Sequence, residues 1–455
     1  MKARSIISFR CFLLVTIICL MINRNALGQT TSDQNILSTY TDTMLINFDD
    51  AEKMFMGKNY ELLAQKYNVE SQRALYLQAK LLNNPNLYYE ASLYNTYSHK
   101  FFQIQKGEQG FNGGINNPAS QGSYTWNFSQ VLSLANKRLK NAALAGTNVV
   151  KSEYEFLDLI RNLRYQLRQD FVELYFLQKT NNLYDIEISS IDEVINAYDL
   201  QFNKGNIPLL EIQRLKAFQI SLTSERRKLL SQLIDRQNNL MILLATQGFP
   251  YFKPLINITA IEKLQFSKLP ILTLVDSAEI YRYDLKASEI QLVADKQNIS
   301  LQKAIAVPDV TLGANHVSNG NYVPNYSGVN MAIGLPAFNR NQGNIKSAKY
   351  RLQSDSAYYK SVKNQLEKDV WHAVTQLIQT DIQYQKFDKN FISNYEKLLE
   401  GVRLNYAKKN ISTIEFVDFY ESYKNSVVQN NELQSDRLSN IENLNFIIGK
   451  TIFKY

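Results

Sequence analysis

Cysteine is nearly absent from this chain of 455 residues, which contains only Cys11 and Cys19. Both lie in residues 1–28, where basic side chains precede a short apolar run and Ala26 and Gly28 provide small residues for cleavage. We predict that residues 1–28 are a signal peptide. The rest of the chain would then have neither a disulfide nor a thiolate metal site.

A strong excess of one charge is also lacking. The chain has 50 Lys and Arg against 42 Asp and Glu, a formal net charge of +8. The predicted signal peptide carries four of the cations and no acid, which leaves 46 basic against 42 acidic side chains, or +4. No large basic patch remains that would recruit nucleic acid.

Histidine is scarce, and the three present, His99, His316 and His372, are scattered along the chain. They form no His-Glu-x-x-His motif and no other spacing that would hold a catalytic metal. No glycine cluster lies between a strand and a helix in a phosphate-binding pattern. The sequence therefore predicts no enzyme, no cofactor and no metal site.

Long apolar runs are missing after residue 28, where no stretch of 18 apolar residues occurs. This absence excludes a bundle of membrane-spanning helices, which need about 20 such residues each. Glycine and proline are few as well, 17 and 9 residues, and long stretches of Leu, Lys, Glu, Gln and Asn are present. That composition is typical of a largely helical chain, so a membrane role would have to come from strands.

The chain is internally duplicated. Residues 202–245 align without a gap onto 406–449 at an offset of 204, and an earlier segment matches at an offset of 223. The difference places an insertion in the first copy, for which the candidate is the glycine-rich run at 106–114. We predict a first unit over 29–248, a proline-containing irregular linker over 249–271 and a second unit over 272–455.

Each unit is predicted to begin with a helix, over about 48–82 and 273–305, because the residue before Pro85 or Pro308 is disfavoured in a helix. Two strands follow in each unit, at about 86–98 and 122–133 in the first and at about 308–318 and 326–336 in the second. The strands alternate apolar and polar residues with period two. The predicted lipid-facing residues are Tyr124, Trp126, Phe128, Val329, Met331, Ile333 and Leu335.

Four strands cannot close a membrane barrel, since the smallest such barrels have eight. Every backbone polar group in lipid must be paired, so an open sheet edge is not tolerated there. If these strands cross a membrane, the protein must therefore be an oligomer.

A long helical stretch follows each hairpin, over about 136–203 and 344–407. In the first, apolar residues step by four and three, the spacing of a coiled-coil seam. They are Tyr184, Ile188, Ile191, Ile195, Tyr198 and Phe202. About 65 residues at about 1.5 Å each form a rod of about 100 Å. The chain then turns at 204–208 and at 408–412, where Gly205, Pro208 and Ser412 suit helix ends and starts.

Over nearly all of the chain after the signal, the sequence resembles the TolC-like outer-membrane efflux family. The matching features are the early helix around Ala51, NNPNL at 83–87, QVLSL at 130–134, FNKGNI at 202–207 and the two-fold repeat. GLPAFNRNQG at 334–343 is similar to the corresponding segment of the cobalt-zinc-cadmium, or heavy-metal, branch.

The resemblance implies a mainly α fold with a β-barrel portion, in which a homotrimer forms a twelve-stranded outer-membrane barrel that continues into a periplasmic α-helical barrel. It also implies a passive channel that works with a periplasmic adaptor (membrane fusion protein) and an inner-membrane pump. By the same resemblance, the adaptor would bind the tips of the helical hairpins. The implied tip residues are Phe202, Lys204, Gly205, Asn206, Ile207, Tyr406, Lys408, Lys409, Asn410 and Ile411. The second tip departs from the family in having Lys409 where the first has Gly205.

Two other functions fit parts of the sequence. A non-transporting coiled-coil scaffold of the cell envelope would explain the heptads but has no need of strands with an apolar face. A soluble periplasmic enzyme would require a cluster of polar catalytic residues, and the sequence offers none.

Overall fold

The computed structural model describes residues 42–95, 99–101, 124–262, 264, 266, 268–319, 324–388 and 391–454. The predicted signal peptide and the glycine-rich run at 106–114 lie outside these residues. The first half contains β1 (Thr43–Ile46), α1 (Phe48–Lys58), α2 (Tyr60–Lys80), β2 (Asn86–Ala91), β3 (Tyr94–Asn95), β4 (Lys100–Phe101), β5 (Tyr124–Leu132), α3 (Lys137–Asn203) and α4 (Leu209–Leu244). The second half contains β6 (Tyr251–Pro254), α5 (Ile258–Glu262), α6 (Ile271–Tyr281), α7 (Tyr283–Ile305), β7 (Val310–Asn319), β8 (Pro324–Ile333), α8 (Gln342–Lys386), α9 (Phe391–Ala407) and α10 (Thr413–Ile448).

This order confirms the predicted repeat of helix, strand hairpin, long helix and returning helix. Each opening helix is divided, however, because a non-helical residue interrupts it. Asn59 lies between α1 and α2, where its side chain accepts a hydrogen bond from the Leu62 amide at 3.0 Å and donates to the Leu243 carbonyl at 2.9 Å. Arg282, with an extended backbone but no side-chain cap, separates α6 from α7.

The two long helical stretches differ. Helix α3 runs unbroken for 67 residues, about 100 Å at about 1.5 Å per residue. In the second half, α8 ends at Lys386 and α9 begins at Phe391, so the predicted single helix over 344–407 is two helices. The predicted seam on α3 is buried at Tyr184, Ile191 and Ile195.

The linker predicted to be irregular contains regular structure. Strand β6 pairs in parallel with β1, in the register Thr43 with Tyr251 through Ile46 with Pro254, and the short helix α5 follows. The side chains of Ile46 and Phe252 are buried in a core shared by α1, α3 and α4. Sequence patterning missed this pair because each strand is only four residues long.

Hydrogen bonds from Arg437 hold the later part of the linker, around Ile261 and Leu264, against the second unit. Its side chain is 2% exposed, and its Nε donates to the Asp381 carboxylate at 2.8 Å. Its Nη1 and Nη2 donate to the carbonyls of Ile261 and Leu264 at 3.0 and 2.6 Å. Because the buried guanidinium has a carboxylate and two carbonyls as partners, its desolvation is compensated.

Candidate functional site

The four longest strands form one antiparallel sheet in the order β2-β5-β7-β8. The register joins Leu87 to Phe128, Phe128 to Ala314 and Ala314 to Val329, so these residues share one face, which we call the apolar face. Since side chains alternate along a strand, every second residue from these belongs to the same face. The polar residues on this face include Gln130, His316, Ser318 and Ser327, and its large apolar residues are Leu87, Tyr89, Tyr124, Trp126, Phe128, Leu132, Val310, Leu312, Val329, Met331 and Ile333.

Six of the seven residues predicted to face lipid therefore lie together on this face. Several are widely exposed in the single chain: Val329 is 90%, Met331 67% and Phe128 52% exposed. Leu335, the seventh, follows the end of β8 and is 84% exposed. An exposed and largely apolar sheet face of this kind marks an interaction surface.

The opposite face is polar and closely packed. It carries Asn127, Asn315 and Asn330, which surround two glycines of the β7–β8 hairpin. A side chain at Gly313 would overlap the Asn330 amide, and one at Gly328 would overlap the Tyr326 ring. The two faces of the sheet thus differ sharply in polarity.

Charge is nearly absent from these four strands. Glu90 is the only Asp, Glu, Lys or Arg in them, and it accepts a hydrogen bond from the Tyr88 hydroxyl at 2.8 Å. The sheet also remains open: strands β2 and β8 form its edges, and the outer side of neither pairs with another strand in the described part of the chain. Unpaired edge amides and carbonyls are ready to pair with another strand.

The first helical tip is the turn between α3 and α4. Gly205 has φ +76°, a left-handed conformation that glycine adopts without steric cost. The Asn206 amide donates to the Gln201 carbonyl at 3.0 Å, and the Asn206 side chain donates to the Gln201 side chain at 2.8 Å. The first of these bonds satisfies a main-chain carbonyl at the end of α3.

The second tip, between α9 and α10, repeats this turn with a different residue. Lys409 has φ +60° in the place of Gly205. The Asn410 amide donates to the Asn405 carbonyl at 2.9 Å, and the Asn410 side chain donates to the Asn405 side chain at 3.1 Å. The departure at Lys409 therefore leaves the turn geometry unchanged.

The predicted tip residues divide into two groups by burial. Eight are exposed or partly exposed: Phe202, Lys204, Gly205, Asn206, Lys408, Lys409, Asn410 and Ile411. Ile207 and Tyr406 are instead buried, at 8% and 2% exposed, so their side chains support the turns from inside and are not available as surface contacts. The Tyr406 ring stacks on Tyr198 and Phe416 with centroids 5.0 and 4.2 Å apart.

Exposed apolar residues beside the turns were missed by the sequence analysis. Leu209 and Leu210 begin α4 and are 53% and 62% exposed, and Ile414, which corresponds to Leu210 at the offset of 204, is 59% exposed. The signal available in the sequence was an apolar residue at the second position of both returning helices.

Further from the tips, charged groups are buried between the helices. The Lys424 ammonium lies 2.7 Å from the Glu225 carboxylate, which also accepts a hydrogen bond from the Tyr184 hydroxyl at 3.0 Å. Nearby, the Glu187 side chain is 3% exposed, and burial raises its pKa to about 7 although the Lys424 charge opposes the shift.

The histidines have ordinary polar neighbours. His99 contacts the Tyr94 hydroxyl at 2.9 Å, His316 contacts the Ser327 hydroxyl at 3.0 Å, and His372 is exposed on α8. Among the described residues, no group of three or more His, Cys, Asp or Glu side chains is placed to hold a metal ion. Nor is any helix within those residues both long and apolar enough to cross a membrane.

Known structures share this fold over most of their length. The chain superposes on CusC with a TM-score of 0.66 and 19% identity, covering 91% of this chain and 96% of that one. For the Campylobacter jejuni outer membrane channel CmeC the TM-score is 0.69 at 14% identity, covering 90% and 87%. The open state of the Neisseria gonorrhoeae MtrE outer membrane channel gives 0.64 at 17% identity, covering 89% of each chain. No curated protein sequence matches the chain.

The fold is therefore that of the outer-membrane channel proteins: long paired helices continuing into a short-stranded sheet. Residues 274–450 match the profile described as outer membrane efflux protein. This part of the chain is therefore similar to the outer membrane efflux proteins.

Proposed function

We propose that this protein is the outer-membrane channel of a tripartite efflux system, a homotrimer that passively conducts substrates delivered by a periplasmic adaptor and an inner-membrane pump. The observation that carries the proposal is the four-stranded sheet, which is apolar and exposed on one face, polar on the other and open at both edges. Lipid suits the first face, and water suits the second.

Three copies would close the sheet. If β8 of one chain pairs with β2 of the next, three sets of four strands form a barrel of twelve, and the two open edges of each chain are satisfied. The apolar face then lies outward in the outer membrane. The long helices extend away from it into the periplasm.

The polar face would line the conduit. Its asparagine, serine and threonine side chains with one carboxylate, Glu90, offer little basis for selecting a substrate by charge. We therefore infer that the barrel supplies a water-filled path and that the pump supplies both energy and selection. Substrates would be metal ions or small toxic compounds, the former suggested by the likeness of residues 334–343 to the heavy-metal branch.

The tips would receive the adaptor. Lys204, Lys408 and Lys409 provide exposed positive charge, and Leu210 and Ile414 provide exposed apolar contacts beside them. Exposed apolar side chains combined with charged ones suit a protein partner. The buried Ile207 and Tyr406 would hold these residues in place.

Adjacent residues of β8 allow a matched test of the barrel. A lysine at Val329 would face lipid, where it costs about 2–4 kcal/mol near the bilayer midplane, whereas a lysine at its neighbour Asn330 would face water. We expect Val329→Lys to remove the heat-modifiable trimer from outer-membrane extracts and Asn330→Lys to retain it. Equal trimer yields from both variants, or recovery of the wild type as a soluble monomer, would contradict the proposal and favour the coiled-coil scaffold.

The tips are tested separately in variants that assemble. Gly205→Val places a β-branched residue at a left-handed position, and Leu210→Asp removes an exposed apolar contact without touching the core. We expect normal amounts of trimer but increased sensitivity of cells to pump substrates. Glu70→Gln, a surface change on α2, provides the control. Unchanged resistance in both tip variants would argue against adaptor binding at the first tip.

A further inference from the structure

The four connections between the helices and the sheet meet at one end of the sheet. Strand β5 ends at Leu132, β7 begins at Val310 and β8 ends at Ile333, and these three residues are direct neighbours in the strand pairing. Strand β2 begins on the same side, since Asn86 pairs with Ser129 of β5. We call these connections, with the adjoining helix turns, the junction belt. It consists of residues 78–85, 133–140, 303–309 and 334–349.

Hydrogen bonds hold the segments of the junction belt side by side. The Arg138 Nη1 donates to the Lys80 carbonyl at 2.9 Å, which joins the segment before β2 to the segment after β5. The Asp309 Oδ1 accepts from the Leu134 amide at 3.0 Å, which joins the segment after β5 to the segment before β7. The β7–β8 pairing brings the fourth segment beside the third. The belt is therefore one continuous surface of the folded chain.

Positive charge predominates in the junction belt. It contains eight basic residues and one acidic residue, Asp309, whereas the whole chain has 50 basic against 42 acidic residues. The basic residues are Lys80, Lys137, Arg138, Lys140, Lys303, Arg340, Lys346 and Lys349. Among the described residues, Lys137 alone of the eight pairs with a carboxylate, that of Asp309 at 2.7 Å. Because the eight are spread over four segments, only the fold brings this charge together.

Large apolar side chains lie exposed among these cations. Phe338 is 95% exposed and Leu335 is 84% exposed. Leu134 and Leu335 follow Leu132 and Ile333 by two residues, so they continue the spacing of the apolar face past the ends of β5 and β8. Exposed apolar groups combined with Lys and Arg are typical of a surface that lies in the interface between lipid and water.

We propose that the junction belt binds anionic phospholipid in the leaflet of the outer membrane that faces the periplasm, an inference that rests on the channel function proposed above. The belt lies where the apolar face ends and the long helices begin. In a channel of that kind, this position is the boundary between hydrocarbon and periplasmic water. Lipid phosphates at this boundary supply the anions that the belt itself lacks.

A phospholipid matches both components of the belt. Long basic side chains reach the headgroups while their methylene groups remain beside apolar surface. Leu335 and Phe338 contact the upper part of the acyl chains. A free phosphate ion would satisfy the cations but would leave these exposed apolar side chains in water.

The test uses the purified full-length trimer in a nonionic detergent, titrated with phosphatidylglycerol or with phosphatidylcholine that carries the same acyl chains. Phosphatidylglycerol should bind more tightly, and it should raise the temperature at which the trimer dissociates. Added salt should remove most of this advantage, because charge interactions at an exposed surface are screened. Inorganic phosphate at the same concentration is the third arm, and it should leave the dissociation temperature unchanged.

Two triple variants with the same loss of charge assign the effect to the belt. The belt variant carries Arg340→Gln, Lys346→Gln and Lys349→Gln, and the control variant carries Arg227→Gln, Lys228→Gln and Lys368→Gln at exposed positions of α4 and α8 outside the belt. The belt variant should bind phosphatidylglycerol roughly 100-fold more weakly, at about 5-fold for each cation removed near an anionic surface. The control variant should bind it as the wild type does. Phe338→Ala should weaken binding of both lipids alike, since it removes only an apolar contact.

Three outcomes would overturn the proposal while leaving the channel function intact. The wild-type trimer could bind the two lipids equally, the belt variant could bind phosphatidylglycerol as tightly as the control variant, or inorganic phosphate could raise the dissociation temperature as much as phosphatidylglycerol. Failure of the wild type to form a trimer in either lipid would instead contradict the channel function, and the lipid site with it.

Discussion

The two helical tips have the same backbone turn but are built from different chemistry. In each, a left-handed residue ends the outgoing helix, and an asparagine amide donates to a carbonyl five residues earlier, at 3.0 Å for Asn206 and 2.9 Å for Asn410. Glycine fills the left-handed position in the first tip, and lysine fills it in the second. The turn is therefore fixed by its hydrogen bonds more than by the identity of that one residue.

The tips differ more in how they are attached to the helices. At equivalent positions, Phe202 is 38% exposed, whereas Tyr406 is 2% exposed and shares a hydrogen bond of 2.7 Å with the Thr413 hydroxyl. The returning helix of the second tip also begins with a capping box formed by Ser412 and Glu415, while Pro208 begins α4 without a side-chain cap. The second tip is anchored within its own chain, and the first leaves its aromatic ring at the surface.

The largest expected effect follows from this difference in burial. Tyr406→Ala removes a ring packed between Tyr198 and Phe416 and should lower the free energy of unfolding by about 3–5 kcal/mol, as for other large aromatic residues of a core. Phe202→Ala, the matched change in the first tip, should cost about 0.5 kcal/mol or less. Denaturant unfolding monitored by circular dichroism measures both. Equal losses would show that the two tips are anchored alike.

A second contrast concerns charge in the helices beyond the tips, where the first half contributes Glu187 and Glu225 and the second contributes Lys424. Below pH 4.5 Glu187 is protonated in both the folded and the unfolded protein. Between pH 4.5 and about 7 it ionises fully only in the unfolded protein, so the free energy of unfolding falls as pH rises. The penalty, fully present above pH 7, is up to about 3 kcal/mol at about 1.4 kcal/mol per unit of pKa. Glu187→Gln should abolish this decline in unfolding measured across pH 4–8.

Glu225 supplies the control for that experiment because its pKa shifts the other way. Burial opposes the shift, but hydrogen bonds from Lys424 and Tyr184 outweigh it and hold the Glu225 pKa below its usual value. Its contribution to stability is therefore present above the unfolded pKa and lost as pH falls through the folded one. Glu225→Gln should weaken the protein near neutral pH and should not mimic Glu187→Gln.

These contrasts also show which features a sequence reveals. The alternation that placed Phe128 and Val329 on one face is a local property with period two, so the sheet faces could be predicted without knowing the fold. The burial of Tyr406 could not be predicted from the sequence. Its aligned counterpart Phe202 is also aromatic, and only the packing of α3 and α10 distinguishes the two residues. Likewise, the pairing of β1 with β6 joins segments distant in sequence, for which spacing gives no signal.

Substitutions in opposite directions at the two left-handed positions, Gly205 and Lys409, test the comparison of the turns. No other group lies near the site of a Cβ at Gly205, so Gly205→Ala should cost only its backbone strain, about 1 kcal/mol. Lys409→Gly should relieve similar strain and stabilise the second tip by less than about 1 kcal/mol, since glycine also gains entropy in the unfolded chain. Opposite signs in thermal unfolding are the expected result. Destabilisation by both changes would mean that the Lys409 side chain makes a stabilising contact of its own.

The last effects concern the starts of the returning helices, and the smallest of all is expected at Pro208. Ser412→Ala removes a side chain that accepts from the Glu415 amide at 3.2 Å, and it should cost about 1 kcal/mol. Glu211 lies three residues after Pro208, as Glu415 follows Ser412, so Pro208→Ser should create the same capping box in the first tip. The gain should remain within about 0.5 kcal/mol, because losing proline frees the unfolded chain. Hydrogen exchange at the first amides of α4 measures the local gain, and slower exchange there with unchanged global stability is the expected outcome.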